Sequence, residues 1–594
     1  MSSVSEGSVV SFTVKINGSA IPGDYPVSAI RVEQAINRIA TATITLLDGS
    51  ASEESFPVSA SDSFVPGNDV SIEVGYDGLN TVVFQGIVTQ QALRIDSIDG
   101  PLLEVECKDK AVKMTVGRKS ANFSASTDSD VISQVVSGAG LDAVVSATSL
   151  TLPNLVQYYA TDWDFILSRA EVNGLMISTL NNKVRVFDPV ADTTSVLVLT
   201  YGSDIMDFSA QLNAIDQVAE VKASAWSFQS QQLITATAAN TIAGPGNLSS
   251  KTLASVVGLS SYDLQTSATE TDAELLCWAK AQVLKSALSK ITGEVRFQGR
   301  AAIVPGNYLS LKGLGARFDG DHFVSGVTHD IADGNWFTEA RIGMSPLWFA
   351  QQHEVQAPCA AGLLPGIQGL FNATVLQLFN DPDGEFRIQV EVALFDDQAT
   401  GLWARMANFY STNGQGTFFL PEVGDEVILG FLNQDPRFPV ILGSMYSQKN
   451  APFSEFSPNE ENSLKGIVSK SALRVLFDDK NAILSLITPG QNSVVLDDQH
   501  QKIEISDKNG NSIVMSESGI TIKSDQNISM QAAQKITLTG DAGIDIQSGT
   551  GDVQTQAVNI GHNAEMQFSA NGKATAQVQG GLELTLKAAL VMIN

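Results

Sequence analysis

Between residues 519 and 592, apolar side chains recur in pairs two positions apart, and the pairs return every eight residues. Ile520, Ile528, Ile536 and Ile544 form one line, and Ile522, Met530, Leu538 and Ile546 form its partner. After a slip at SGTGD the pattern resumes. Val558, Met566, Ala574, Leu582 and Leu590 make one line, and Ile560, Phe568, Ala576, Leu584 and Met592 the other. An i, i+2 apolar pair predicts a short strand with one buried face. Polar or glycine-bearing joints such as SDQN and DAG re-aim the chain between strands. One octad per strand predicts a β-solenoid, and eight residues are too few to close a coil within a single chain. Three chains winding together would close the cross-section and leave no strand edge bare. The competing element is an up-and-down antiparallel sheet of eight-residue hairpins. That sheet would expose its second face and both edges, and would call for more Asn-Gly turns.

Upstream, residues 1–350 alternate with the period of strands. TATITLL at 41–47, VVFQGIV at 82–88 and LEVEC at 103–107 are short runs separated by turn residues, as in barrels and sandwiches. Two segments carry helical spacing instead. In TDWDFILSRAEVNG, Thr161 is a cap with Asp164 three residues on. Phe165, Ile166, Arg169 and Ala170 share a side, and Gly174 ends the helix. From about Thr271 to Leu288, Leu275, Leu276, Ala279, Val283 and Ala287 fall at helical intervals. QQHEVQAPCAAGLLPG has no period and two prolines, which predicts a linker over 351–366. A compact alternating block follows over 367–453, then a polar break at 454–467, then the needle at 468–594.

The middle block carries the most specific motifs: FFLPEVGDEVILGF (418–431), DPRFPVILGS (435–444) and KNAP (449–452). With these, the chain resembles the VgrG spike family, which includes phage baseplate hub and spike proteins. The block resembles that family's OB-fold. The TDWDFILSRAEVNG helix and GNYLSLKGLGARFDGDHFVSGVTHDI resemble its hub half, and residues 492–524 resemble the start of its triple-stranded β-helix. The fold class expected is mainly β. A hub of two barrel-like subdomains with a few helices leads to an OB-fold barrel and a C-terminal intertwined triple-stranded β-helix in a homotrimer. Some relatives insert a lysozyme domain before the needle or append an effector after it. Here only about 15 residues separate block and needle, too few for an enzyme domain, and the octads run to Met592.

Composition narrows the function. The net charge is −28, which argues against nucleic-acid binding and against adsorption to anionic lipid. The three cysteines, Cys107, Cys277 and Cys359, lie far apart, which fits neither a disulfide framework nor a zinc site but does fit a reducing cytoplasm. MSSVSEGSVV has no secretion-signal pattern. The expected setting is assembly in the bacterial cytoplasm into a tail-like particle that is delivered outside the cell or into a target on firing.

Candidate chemistry is sparse. Asp396-Asp397, Asp478-Asp479 and Asp497-Asp498 are adjacent acids, which on a strand point to opposite faces and are expected in turns. His322, His329, His353, His500 and His562 lack metal-ligand spacing. His562 is the one candidate metal residue, because its inward phase would place three copies around a trimer axis. No cofactor is expected. The function expected is a structural, non-enzymatic central spike that joins an inner tube to a membrane-piercing needle. The alternative is a trimeric β-solenoid polysaccharide depolymerase. Needle-core positions are Ile520, Ile522, Ile528, Met530, Ile536, Leu538, Ile544, Ile546, Leu582 and Leu584. Ala588, Leu590, Met592 and Asn594 form an apolar platform at the tip. The resemblance implies that a small PAAR-type tip protein docks there, with inner-tube and baseplate proteins on the N-terminal half and the target membrane met only on firing.

Overall fold

The computed structural model describes residues 9–98, 100–268, 270–351, 355–395 and 401–593. His353, Asp396, Asp397 and Asn594 lie outside the described residues. The chain divides into two compact units, 1–444 and 445–594.

In the first unit, thirteen strands form one sheet. Alternation is the cause. In Thr41–Leu47, Ala42, Ile44 and Leu46 are buried while the threonines face outward. In Leu79–Asp96 a bulge adds one residue opposite Ile72 and Glu73, so neighbouring Val83 and Phe84 both enter the core. The two expected barrel-like subdomains are two cores on this continuous sheet. One gathers Ile30, Ile44, Phe84 and Val105, the other Val295, Leu309, Val324 and Ile342. The long strand Gly320–Ala332 joins them, pairing with Val27–Ala35, Tyr308–Lys312 and Asn335–Ile342.

Four α-helices are described, α1 (Asp128–Gly138), α2 (Asp162–Val172), α3 (Ser250–Val257) and α4 (Asp272–Leu288). Thr161 caps α2 by accepting from the Asp164 N–H, and Thr271 and Glu274 form a capping box on α4. α1 and α3 escaped the sequence reading, although Thr127 and Ser249 cap them by the same chemistry. Arg169 of α2 grips Asp128 at the start of α1 with a bidentate pair at 2.6 and 2.9 Å. Glu171 of α2 and Lys285 of α4 form a buried ion pair. The end of the hub docks on these two helices: the Phe349 N–H donates to Glu171 Oε2 at 2.8 Å, and Trp348 Nε1 donates to Gln282 Oε1 at 2.5 Å.

The middle block closes as expected. Phe371–Gln377, Ile388–Glu391, Leu402–Met406, Pro439–Ser444 and Glu426–Phe431 form a five-stranded barrel around Val375, Val390, Val427, Leu429 and Ile441. A small hairpin, Ser411–Thr412 with Gln415–Gly416, stands between two of its strands.

The second unit departs from expectation. Seven strands from Leu464–Val468 to Gly519–Lys523 form an antiparallel meander within the chain, each paired with its sequence neighbours. The first takes up the last four residues of the expected linker 454–467, and residues 464–523 pair within their own chain. Strands of five residues are separated by turns that reverse the chain, and aspartates hold several of those turns. Asp478 accepts from the Lys480 and Asn481 amides, and Asp507 accepts from those of Asn509 and Asn511. From 524 to 593 the chain forms no paired strand; it runs straight for about six residues at a time and bends between runs.

Candidate assembly surface

Register puts one face of the meander in order. Ile467, Val475, Leu486, Val494, Ile505, Ile513 and Ile522 pair across the whole sheet in a single row. Beside it, Phe477, Leu484, Leu496, Ile503, Met515 and Ile520 form a second row. Side chains at i and i+2 share a face, so both rows lie on the same side. The opposite side mixes Leu476, Val495 and Val514 with Ser485, Glu504 and Thr521. The apolar side is uncovered, bordering a trough of about 920 Å³. The sequence carried the signal: apolar i, i+2 pairs recur at 475/477, 484/486, 494/496, 503/505 and 513/515, at a spacing longer than the octads.

Past Lys523 the bends fall at 525–526, 533–534 and 541–542, then at 549–551, and again at 565–566, 573–574 and 581–582. The eight-residue period is therefore a property of the backbone as well as of the side chains. Ile528 with Met530, Ile536 with Leu538 and Ile544 with Ile546 lie in straight runs. A small residue follows each pair two positions on: Ala532, Gly540 and Ser548. Gly540 shows why. A Cβ there would stand 2.4 Å from the Gly543 carbonyl oxygen, and Gly572 and Gly580 meet the carbonyls of Thr575 and Glu583 in the same way.

This pattern corrects the second half of the repeat. Val558, Met566 and Leu582 sit on bends, at 100, 99 and 106% exposure, whereas Ile560 and Leu584 in straight runs are at 49 and 53%. The bends at 541–542, 549–551 and 565–566 keep the eight-residue spacing, so the register runs on without a slip. The equivalents of Ile528 and Met530 are Ile560 with His562, Phe568 with Ala570, Ala576 with Val578, and Leu584 with Leu586. Leu582 is thus a corner residue, and Leu586, which the octad pattern omits, shares the run of Leu584. His562 takes the position held by Met530, Leu538 and Ile546, and its ring stacks on Phe568 at 5.8 Å.

The remaining candidates serve structure. Hydrogen bonds hold the turn carboxylates Asp478 and Asp497 below the usual range, chiefly the Asn481 side chain for Asp478 and the His500 amide for Asp497. Asp478 and Asp497 thus end strands and hold the turns that follow, in which Asp479 and Asp498 lie. His322 and His329 are buried in the hub, where burial lowers both pKa values. Burial raises the Cys107 thiol to about 12. No helix among the described residues is long and apolar enough to cross a membrane.

Comparison with known proteins agrees with this order of parts. The type VI secretion system/phage-baseplate injector OB domain matches residues 371–446, and the phage baseplate V C-terminal trimerisation domain matches 484–550. The spike protein VgrG3 of the type VI secretion system of Vibrio cholerae is 30% identical over 105 residues, 16% of this chain and 10% of that protein. The chain thus matches only about a tenth of that relative's length. Among solved structures, a 43 kDa tail protein of prophage MuSo2 from Shewanella oneidensis covers 56% of this chain and 98% of its own, with a TM-score of 0.43 at 11% identity. An E. coli component of the type VI secretion system covers 73% and 99%, with a TM-score of 0.37 at 14% identity. The injector OB model falls on the five-stranded barrel, and the trimerisation model follows it on the meander and the first octads. The chain belongs to the Alg8 N-terminal domain family, whose model spans residues 6–333, more than half its length.

Proposed function

We propose that three copies of this chain form the central spike of a contractile injection machine, and that the work is mechanical and not catalytic. The observation that carries this is the run 524–593, in which apolar pairs return every eight residues on a backbone with no partner strand in its own chain. A two-residue bend redirects the chain without reversing it, so each run meets its partners in other copies. Extended backbone and apolar rows left in water are unstable, and interchain pairing satisfies both. The trimerisation match over 484–550 supports the count of three. In the meander each copy would contribute one whole sheet, its two apolar rows turned inward. Beyond 523 the copies would interleave. Successive layers of interchain hydrogen bonds around an apolar centre give a stiff shaft that carries axial load.

The hub and OB barrel would receive that load from inner-tube and baseplate proteins, and the shaft would meet a target membrane on firing. Assembly in the cytoplasm, and a PAAR-type protein at the far end, complete the proposed reading. Sedimentation of the full-length protein tests it. A species of three times 63.1 kDa is expected, and a stable folded monomer would overturn the proposal.

A further inference from the structure

The hairpin of the OB barrel carries an aromatic surface that its own fold does not use. Residues 409–419 read FYSTNGQGTFF. Ser411 pairs with Gly416 and Thr412 with Gln415 across an Asn413-Gly414 turn, where Gly414 takes φ +73°. The Thr417 N–H donates to the Tyr410 carbonyl at 2.9 Å and closes the base. The hairpin is thus ordered by its own backbone. Its side chains, however, stand in solvent. Phe409 is 90% exposed and Phe418 78%, and Tyr410 and Phe419 are more than half exposed. Four aromatics on eleven residues are far from the scattered apolar exposure of an ordinary surface. Aromatic side chains bury about 150–250 Å² each, so this hairpin offers on the order of 500 Å² per copy.

We propose that the hairpin 409–419 is a clasp that packs against a second copy of this chain and locks three OB barrels into a collar. The proposal rests on the trimer reading above. Charge selects the occupant. From Met406 to Pro421 there is no Asp, Glu, Lys or Arg, on a chain whose net charge is −28. Copies that repel one another need uncharged surfaces where they touch, and this is such a surface. An anionic partner such as nucleic acid would need basic side chains among the aromatics, and there are none. Chain connectivity points the same way. The trimerisation match begins at residue 484, about forty residues past the barrel's last strand, Pro439–Ser444. Three hairpins tethered that closely meet at high effective concentration, so a modest apolar contact suffices to close the collar.

Site-specific photocrosslinking of the full-length chain tests this. A benzophenone amino acid is placed in turn at Phe409 and Phe418, and particles and purified protein are irradiated. Adducts of two and three times 63.1 kDa, made of this chain alone, are expected. Adducts with a different particle protein, or no adduct from a chain that sediments as a trimer, would overturn the clasp and leave the trimer standing. If the unsubstituted chain sediments as a monomer, the trimer reading fails and the clasp fails with it. As a second readout, Phe409→Ser with Phe418→Ser is expected to lower the melting temperature of the trimer by several degrees. No shift would also count against the clasp.

Discussion

Glu171 and Lys285 are both buried, and each has further work that makes the pair hard to break. Glu171 also receives the Phe349 N–H, and the Lys285 ammonium lies 5.2 Å from the centre of the Trp348 ring. Removing one member leaves the other charged and unpaired, which costs about 3–5 kcal/mol. Glu171→Ala should therefore lower hub stability by that order in denaturant unfolding, while Glu171→Met with Lys285→Met should recover most of it. His329 makes a second residue-scale prediction. It is buried between Trp336, whose Nε1 donates to His329 Nδ1 at 3.4 Å, and Thr338, 3.0 Å away. Burial holds its pKa down at about 4, against about 6.5 in an unfolded chain. Between those values the unfolded chain binds a proton that the folded hub does not. Stability is then full above pH 6.5 and falls as pH drops toward 4, by about 3 kcal/mol in all. Hub melting temperature followed from pH 7 to pH 4 should decline over this window, and His329→Gln should flatten the decline.

At the scale of elements, the sequence was legible wherever one period ran long enough. The helix from Thr271 and the alternation of Thr41–Leu47 stand where their spacing put them, and the pairs from Ile528 to Ile546 lie in straight runs, whereas Ile520 and Ile522 fall in the last strand of the meander. It was less legible where two periods of similar length adjoin. The meander and the octads both present i, i+2 apolar pairs, and only the joints differ. Joints that hold Asp478 or Asp507 reverse the chain, whereas those at Asp525-Gln526 or Ala533-Gln534 merely bend it. The slip at SGTGD is not one in the backbone: Val558, Met566 and Leu582 are apolar on the corners and imitate a shifted pattern. A pair of substitutions separates the two phases. Leu584→Asp places three carboxylates together in the shaft and should lower trimer melting sharply, as Ile536→Asp should in the first half. Leu582→Asp puts its charges on outer corners and should leave melting within a few degrees of the parent. If Leu582→Asp is the more damaging of the two, Leu582 and not Leu584 faces the centre, and the pattern does slip at SGTGD.

At the scale of the whole molecule, the corner and outward positions decide what else the shaft touches. In the run 583–588, the residues that alternate with the apolar pair are Glu583, Thr585 and Lys587, polar as an outer surface should be. One octad later, the same outward positions are Val591 and Ile593, beside Leu590 on the bend and Met592 in the inward phase. Leu590 to Ile593 is therefore apolar on both sides of the strand. The trimer covers one side only. The other would present three copies of Val591 and Ile593 to water, an apolar patch of the kind that marks an interface. A partner that covers the outside of the shaft would bury this patch, with its docking contact on Val591 and Ile593 more than on Met592. Val591→Ser with Ile593→Ser should leave sedimentation and trimer melting unchanged, since neither side chain faces the centre. The same variant should lose its tip protein when particles are purified and their components resolved by mass spectrometry. Retention of a tip protein in parent amounts would mean that the outward side chains are not the contact, and a loss of the trimer itself would mean that they face inward after all.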